Sequence, residues 1–326
     1  MTLCIRDQLL SLLIKYQPQY VSGEEISRQV GCSRAAIWKH IEELRQEGYE
    51  IEARPRSGYR LVYRPDRVAP EEISYHLHTQ KFGRKIRYQE VVHSTQILAH
   101  EWAREGIEEG ALVVAEQQEA GRGRLGRKWY SPSHTGVWMS LILRPSILLT
   151  DASHLTLLAS LGVKQGIERV TGLPIQIKWP NDLLIHGKKI CGILTELRGE
   201  QDQVHYVIIG IGINVNTPKE SWPEEIRRIA TSLAIELGGP VHRASLIAAI
   251  LEELEEVYQQ YMNQGFTKIK AQWEKSSGIL GKSIVARTAQ GTYTGIAEQL
   301  TGQGALLLRT DQGLIPIHSA DILLKE

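Results

Sequence analysis

Apolar positions recur at helical spacing from the start of the chain: residues 3–16 put Ile5, Leu9, Leu12 and Leu13 on one face of a predicted helix. Ser22-Gly-Glu-Glu25 has the form of a capping box and opens a short predicted helix with Ile26 and Val30 on its inner side. After a tight turn at Gly31-Cys32-Ser33, a longer helix is expected from Ser33 to about Gln46. Ile37, Ile41 and Leu44 face inward, and Gly48 ends the helix. The period then shortens to that of two strands, 49–53 and 59–63, joined by Arg54-Pro55-Arg56-Ser57-Gly58. Helix, helix, turn, helix, hairpin is the order of a winged helix-turn-helix.

Arg64-Pro65-Asp66 and Ala69-Pro70 read as a linker. A mixed pattern follows to about residue 275, with helices expected at Ser94–Arg104, Ser153–Val170 and His242–Asn263. Strands are expected at Ile86–Val92, Ala111–Glu116, Val137–Leu143, Ile175–Trp179, Leu183–Ile185, Lys189–Leu197 and Val204–Asn214. The last three are separated by turns, not helices, which predicts an antiparallel or mixed sheet. From Gly278 short alternating strands take over, at Ser283–Arg287, Thr292–Leu300, Ala305–Thr310 and Leu314–His318. They describe a small, barrel-like all-β module.

Composition narrows the function classes. A length of 326 residues suggests about two domains plus small end modules. Hydrophobic residues at 42% and charged residues at 23% argue against a largely disordered chain. A net charge of +1 excludes a protein that coats nucleic acid and leaves room only for a local basic patch. The longest apolar run, around Tyr206–Val215, is shorter than the ~18 residues of a spanning helix and reads as a buried strand. Arg6 and Asp7 interrupt the first apolar stretch, so no signal peptide is expected. Cys4, Cys32 and Cys191 have neither a disulfide framework nor zinc spacing, which fits a reducing cytoplasm.

The third helix carries Ser33, Arg34, Trp38 and Lys39 on its outer face. Early residues of such a helix reach base edges, and Lys39 suits a phosphate. The wing offers Arg54, Arg56 and Arg60 to the DNA backbone or minor groove. Glu24, Glu42 and Glu43 dilute the charge, so non-specific affinity should be modest. A winged helix used for protein contacts is the alternative; an Arg-tipped wing beside a basic helix start favours DNA.

Gly121-Arg122-Gly123-Arg124-Leu125-Gly126-Arg127-Lys128-Trp129 formally matches G-x-G-x-x-G. A dinucleotide site needs a helix starting within the glycines. Here the loop runs into Lys128–Pro132, and no acidic residue stands about 20 positions on. A mobile loop that closes on an anion fits better: glycines let the backbone wrap a ligand, and Arg122, Arg124 and Arg127 can bind phosphate or carboxylate. A merely solvated basic loop is disfavoured by its place between two apolar strands. Further on, Lys189 opens an apolar strand and can serve as a fixed charge against a developing anion, or simply as a solvated strand end. Asn181 and Asp182 suit Mg²⁺, ligand hydroxyls or an incoming amine, or an Asx-turn. Gly210 and Gly212 leave room for a flat ligand or another backbone, and Asn214 stands beside them.

The runs Gly121–Trp129, Lys178–Asp182 and Gly187–Gly192 together resemble the biotin–protein ligase family. With the winged helix ahead of them, the whole chain resembles the bifunctional form that also represses biotin-operon genes. The resemblance implies an α+β fold in three domains: a winged helix-turn-helix (1–64), a central mixed-sheet α/β ligase domain (65–275) and a small SH3-like β-barrel (276–326). It implies that biotin and Mg²⁺-ATP give biotinyl-5′-AMP, and that a lysine of a carrier domain of acetyl-CoA carboxylase or another carboxylase then takes the biotinyl group. Ser94, Thr95 and Gln118 would hold the biotin ring; Arg122, Gly123 and Arg124 would lie over adenylate and carboxylate. Trp129 and Asn214 would support the adenine side, with Gly192 beside them. Lys189 would bind the carboxylate or α-phosphate, and Asp182 would orient the acceptor lysine. Bound adenylate would favour a homodimer on operator DNA, with no membrane partner and no protein-bound metal. Two alternatives stay open: a lipoate-type ligase of similar fold, and a ligand-sensing repressor without turnover. An active ligase whose winged helix no longer binds DNA is a third.

Overall fold

The computed structural model describes residues 4–200 and 203–325. They form two compact units that divide between His76 and Leu77.

In the first unit, α1 (Ile5–Tyr16), α2 (Gly23–Val30) and α3 (Arg34–Gln46) precede the hairpin β1 (Glu50–Arg54) and β2 (Gly58–Tyr63). Leu9, Leu13, Ile26, Ile37, Ile41, Leu44 and Leu61 fill one core. Ile5 is exposed, because the first turn of α1 carries it past that core; Leu3, also in the expected stretch, lies outside the described residues. Ser22 Oγ accepts from the Glu25 N–H at 3.1 Å. The Glu25 carboxylate turns to Arg28 and Gln29, so only half of the capping box forms.

The expected linker is instead packed. The short helix α4 (Pro70–His76) lies against α1. Val68 and Ile73 are fully buried, and the buried Glu72 carboxylate pairs with Arg64. A buried carboxylate needs such a partner, which ties the segment down. The first unit therefore runs beyond the boundary expected after residue 64.

The second unit opens with β3 (Ile86–Val92), α5 (Thr95–Arg104) and β4 (Leu112–Gln118). The two-residue strands β5 (Gly121–Arg122) and β6 (Lys128–Trp129) follow, then β7 (Gly136–Leu143), α6 (Ala152–Thr171), β8 (Gln176–Lys178), β9 (Asp182–Ile185), β10 (Lys188–Glu200) and β11 (Gln203–Asn214). Seven strands make one sheet in the order β3-β4-β7-β11-β10-β9-β8. Only β3 and β4, joined through α5, are parallel, as a crossover helix requires. All other neighbours are antiparallel, giving the mixed sheet that the turn-linked strands predict.

The short helices α7 (Glu224–Arg227) and α8 (Leu233–Leu237) lead to α9 (Arg243–Gln264) and α10 (Phe266–Ser276). Every residue of β7 is buried, which is why it reads as an unbroken apolar run. Helices α6 and α9 pack closely because α6 offers glycines: a Cβ on Gly166 would lie 2.6 Å from Ile250 Cα.

The C-terminal strands β12 (Ser283–Arg287), β13 (Thr292–Leu300), β14 (Leu306–Thr310), β15 (Gly313–Ile317) and β16 (Asp321–Leu324) form an antiparallel sheet ordered β15-β14-β13-β12-β16. This module belongs to the second unit. Trp179 Nε1 donates to Gly304 O at 3.2 Å, and His154 Nε2 lies 3.0 Å from Gly302 O. Among the described residues no helix is long and apolar enough to cross a membrane.

Candidate active site

A cavity of about 270 Å³ opens over β10 and β11. Gly192 and Gly212 face each other in register across these strands. Their missing side chains admit the indole of Trp129: a Cβ on Gly212 would lie 2.4 Å from its Nε1, and one on Gly192 2.8 Å from its ring edge. The β5–β6 pairing, Gly121 to Trp129 and Arg122 to Lys128, carries the indole there. The Trp129 N–H is buried and has no hydrogen-bond partner among the described residues. The room at the strand glycines, expected for a flat ligand or another backbone, is taken by an aromatic side chain at Gly212 and by the Gln96 amide at Gly210.

One wall is neutral and polar. Ser94 precedes α5, yet its Oγ caps nothing and is buried without a partner among the described residues. Gln118 Oε1 accepts from the Thr95 N–H at 2.9 Å and from Thr95 Oγ1 at 3.1 Å. Its Nε2 donates to Ser131 Oγ at 2.9 Å. Ser94, Thr95 and Gln118 line the cavity at the end of β4 and the start of α5.

The opposite side is cationic. Lys189 Nζ lies 2.7 Å from Asp182 Oδ1 and 5.2 Å from the Trp129 ring centroid, close enough for a cation–π contact. Its backbone is clamped: Lys189 N–H donates to Ile229 O at 2.8 Å and Thr231 N–H to Lys189 O at 3.0 Å. Arg124 donates to Asn181 Oδ1 at 3.0 Å and to Ser319 Oγ at 2.8 Å. Arg127 makes a two-pronged ion pair with Asp321. Burial pulls the Arg124 pKa down, against the upward pull of Asp182 and Asp321. Burial likewise lowers Lys178, which Asp182 opposes and Lys189 reinforces. Arg122, Arg124, Arg127, Lys128 and Lys189 line the cavity against two carboxylates, Asp182 and Asp321, a surplus of cations suited to an anionic ligand.

The expected residues Ser94, Thr95, Gln118, Arg122, Gly123, Arg124, Trp129, Asp182, Lys189, Gly192 and Asn214 all line this one cavity. Some are already engaged: Asn214 Nδ2 donates to Thr231 O at 3.1 Å, and Asn181 Nδ2 to Ile193 O at 2.8 Å. Sequence reasoning missed Ser319 and Asp321, which lie at the far end of the chain in a segment without a motif. It also missed Trp222, Ile226, Ile229 and Ala230, which complete the lining from a stretch with no clear period.

The first unit holds the other expected set. Arg34, Trp38 and Lys39 are exposed on α3, with Trp38 at 61%. Ser33 Oγ accepts from the Ala36 N–H at 3.2 Å, so it caps α3 while its own proton remains to be given. Arg54 and Arg56 are exposed on the wing. The wing base requires glycine, since a Cβ on Gly58 would lie 2.0 Å from Val21 O. Arg60 is held back, bonded to Glu52 at 2.6 Å and stacked over Tyr20.

Residues 88–214 match the biotin/lipoate A/B protein ligase family, residues 6–60 an HTH domain, and residues 279–325 the biotin protein ligase C-terminal domain. The chain is 49% identical over 318 residues to the bifunctional ligase/repressor BirA of Bacillus subtilis, covering 98% of each. It is 29% identical to the protein of that name from Escherichia coli, covering 94% of each. The structure of the Aquifex aeolicus biotin protein ligase in complex with biotin and ATP matches with a TM-score of 0.65 at 32% identity, over 74% of this chain and 99% of that one. The chain belongs to the biotin protein ligase family, in its bifunctional ligase/repressor form.

Proposed function

We propose that the second unit joins biotin to AMP and passes the biotinyl group to a lysine of a carboxylase carrier domain. The first unit, with the adenylate as corepressor, reads operator DNA. The observation that carries the ligase reading is the meeting, in one cavity, of a neutral hydrogen-bonding wall (Ser94, Thr95, Gln118) and a cationic side (Arg122, Arg124, Lys189). The neutral wall suits a ureido ring; the cations suit a carboxylate and phosphates.

In the first step a biotin carboxylate oxygen attacks the α-phosphorus of ATP and pyrophosphate leaves. Negative charge builds on the phosphoryl oxygens, and Lys189, whose backbone N–H and carbonyl are both bonded to the 229–231 segment, is placed to stabilise it without reorganising. Arg124 exchanges its bonds to Asn181 and Ser319 for the anion. The mixed anhydride is open to hydrolysis, and the 121–129 loop excludes water from it. In the second step a neutral lysine amine attacks the biotinyl carbonyl and AMP leaves with the electron pair. Asp182 lies beside the cationic side, where its carboxylate can exchange Lys189 for the incoming ammonium and take up its proton.

Biotin and ATP are substrates here. Mg²⁺ would arrive with the ATP phosphates, and Asp182 and Asp321 are the carboxylates lining the cavity. Operator reading uses Ser33, Arg34, Trp38 and Lys39 on α3 with Arg54 and Arg56 on the wing. A homodimer of adenylate-bound chains would present two such readers to a two-fold-related site.

Biotin-dependent ATP–pyrophosphate exchange tests the ligase reading, with lipoate and octanoate as control acids. Exchange with biotin alone is expected. Exchange with lipoate instead, or none in folded protein with Mg²⁺, removes the reading.

A further inference from the structure

Behind the polar wall lies a serine that does not line the cavity. Ser140 sits in the middle of β7, is fully buried, and stands opposite Gly210 in register. A hydroxyl inside an apolar strand is costly unless bonded, so its partners decide whether it is tolerated. Ser140 Oγ lies 2.9 Å from Thr95 Oγ1 and 3.1 Å from Gln96 Oε1. A single proton is shared between two acceptors.

Beyond Ser140 the bonds run in one direction. When Thr95 Oγ1 accepts from Ser140, its own proton goes on to Gln118 Oε1 at 3.1 Å. The Thr95 N–H donates to the same oxygen at 2.9 Å. Both lone pairs of the Gln118 carbonyl are then used, so the amide cannot flip without loss. Its Nε2 gives one hydrogen to Ser131 Oγ at 2.9 Å; the other has no acceptor among the described residues, and Gln118 lines the cavity. Ser131 in turn donates to Trp129 O at 3.2 Å, in the loop.

We infer that Ser140 is a positioning residue that fixes the donor pattern of this wall, and through it the preference for an acid bearing a cyclic urea. A urea carbonyl can accept the free Gln118 hydrogen; a dithiolane or an alkyl chain cannot. A wall with a flippable amide would lose that distinction. The inference rests on the ligase reading above.

Its test is pyrophosphate exchange with the full-length protein. Ser140→Ala should raise the KM for biotin about tenfold while kcat at saturating biotin and the KM for ATP stay within about twofold. Ser140→Cys, which keeps the shape with a weaker donor, should fall between. General loosening of the domain would instead move all three parameters. An unchanged biotin KM in both variants, or parallel losses in ATP KM and kcat, overturns the inference while the ligase reading stands. No biotin-dependent exchange in the wild type overturns both.

Discussion

Two basic loops of this chain, residues 54–58 in the wing and 121–129 in the second unit, are alike in composition and opposite in circumstance. Each lies in a short hairpin, and each combines arginine with glycine. In the wing, Arg54 and Arg56 are exposed and make no ion pair among the described residues. In the other loop, Arg124 is bonded to Asn181 and Ser319, and Arg127 to Asp321. An arginine left in water is ready for a long polyanion that brings its own charge. An arginine held by neutral and acidic side chains at a cavity is ready to exchange one partner for another. Composition therefore marks both loops as basic, and only their protein partners tell the solvent-facing loop from the one at the cavity.

The largest effect expected concerns the cation that neither loop carries. Lys189 is fixed by a strand, so Lys189→Ala should lower biotin-dependent exchange about 10²–10³-fold, the range for a preorganised charge-stabilising donor. Circular dichroism should show the fold intact. Near-normal exchange would mean that the loop arginines suffice for the chemistry, and the contrast between fixed and exchangeable cations would fail.

Much of this architecture is legible from the residues, and the exceptions have physical causes. Ile86–Val92 and Ser283–Arg287 are predicted to the residue, because alternation and flanking turns bound them on both sides. The loop, Lys189 and the Ser94–Thr95 pair meet in one cavity as their motifs imply. Helix α10 is absent from the expected elements, although Phe266, Ile269 and Trp273 are its buried positions; Gly265 breaks the pattern just ahead of it. The Arg127–Asp321 pair joins residues 194 apart, and nothing local to either end marks it. Ser140 is hidden for the opposite reason: it lies inside an apolar run, where a single hydroxyl does not disturb the period.

The second prediction tests the wing. Replacing Arg54 and Arg56 by alanine should weaken operator binding about 10- to 100-fold and flatten the dependence of log affinity on log salt by about two per reading unit, one for each phosphate no longer neutralised. Pyrophosphate exchange should not change. If the salt slope is unaltered, the wing serves protein contacts and the comparison loses one arm. The smaller loop effect comes from Asp321→Asn, which keeps the shape but breaks the ion pair with Arg127. Both partners are partly exposed, at 63% for Arg127 and 35% for Asp321, so the pair is worth at most ~1 kcal/mol. Retention of the adenylate should shorten about two- to fivefold, read as radiolabelled adenylate remaining after a chase with unlabelled biotin. Unchanged retention would mean that Asp321 does not hold the loop.

The smallest effect reaches the loop through its anchor. The C-terminal module that supplies Ser319 and Asp321 is tied to α6 by His154, whose ring nitrogens lie 3.0 Å from Gly302 O and 3.1 Å from the Tyr261 hydroxyl. Burial lowers the His154 pKa, against smaller upward pulls from the Gly302 carbonyl and Asp151. The folded state therefore disfavours the imidazolium that the unfolded chain accepts near pH ~6.5. Above that pH both states are neutral and the stability is whole. As pH falls from about 6.5 through the lower folded pKa, the unfolded chain takes up a proton that the folded one does not, and stability is lost. The Tm of the wild type should fall over that interval, and His154→Gln, which cannot titrate, should fall less steeply. Adenylate retention should weaken in step, since the module that holds Arg124 and Arg127 is tied down through His154. An equal fall in Tm for both proteins would place the pH sensitivity elsewhere in the chain and leave the anchor of the 121–129 loop indifferent to acid.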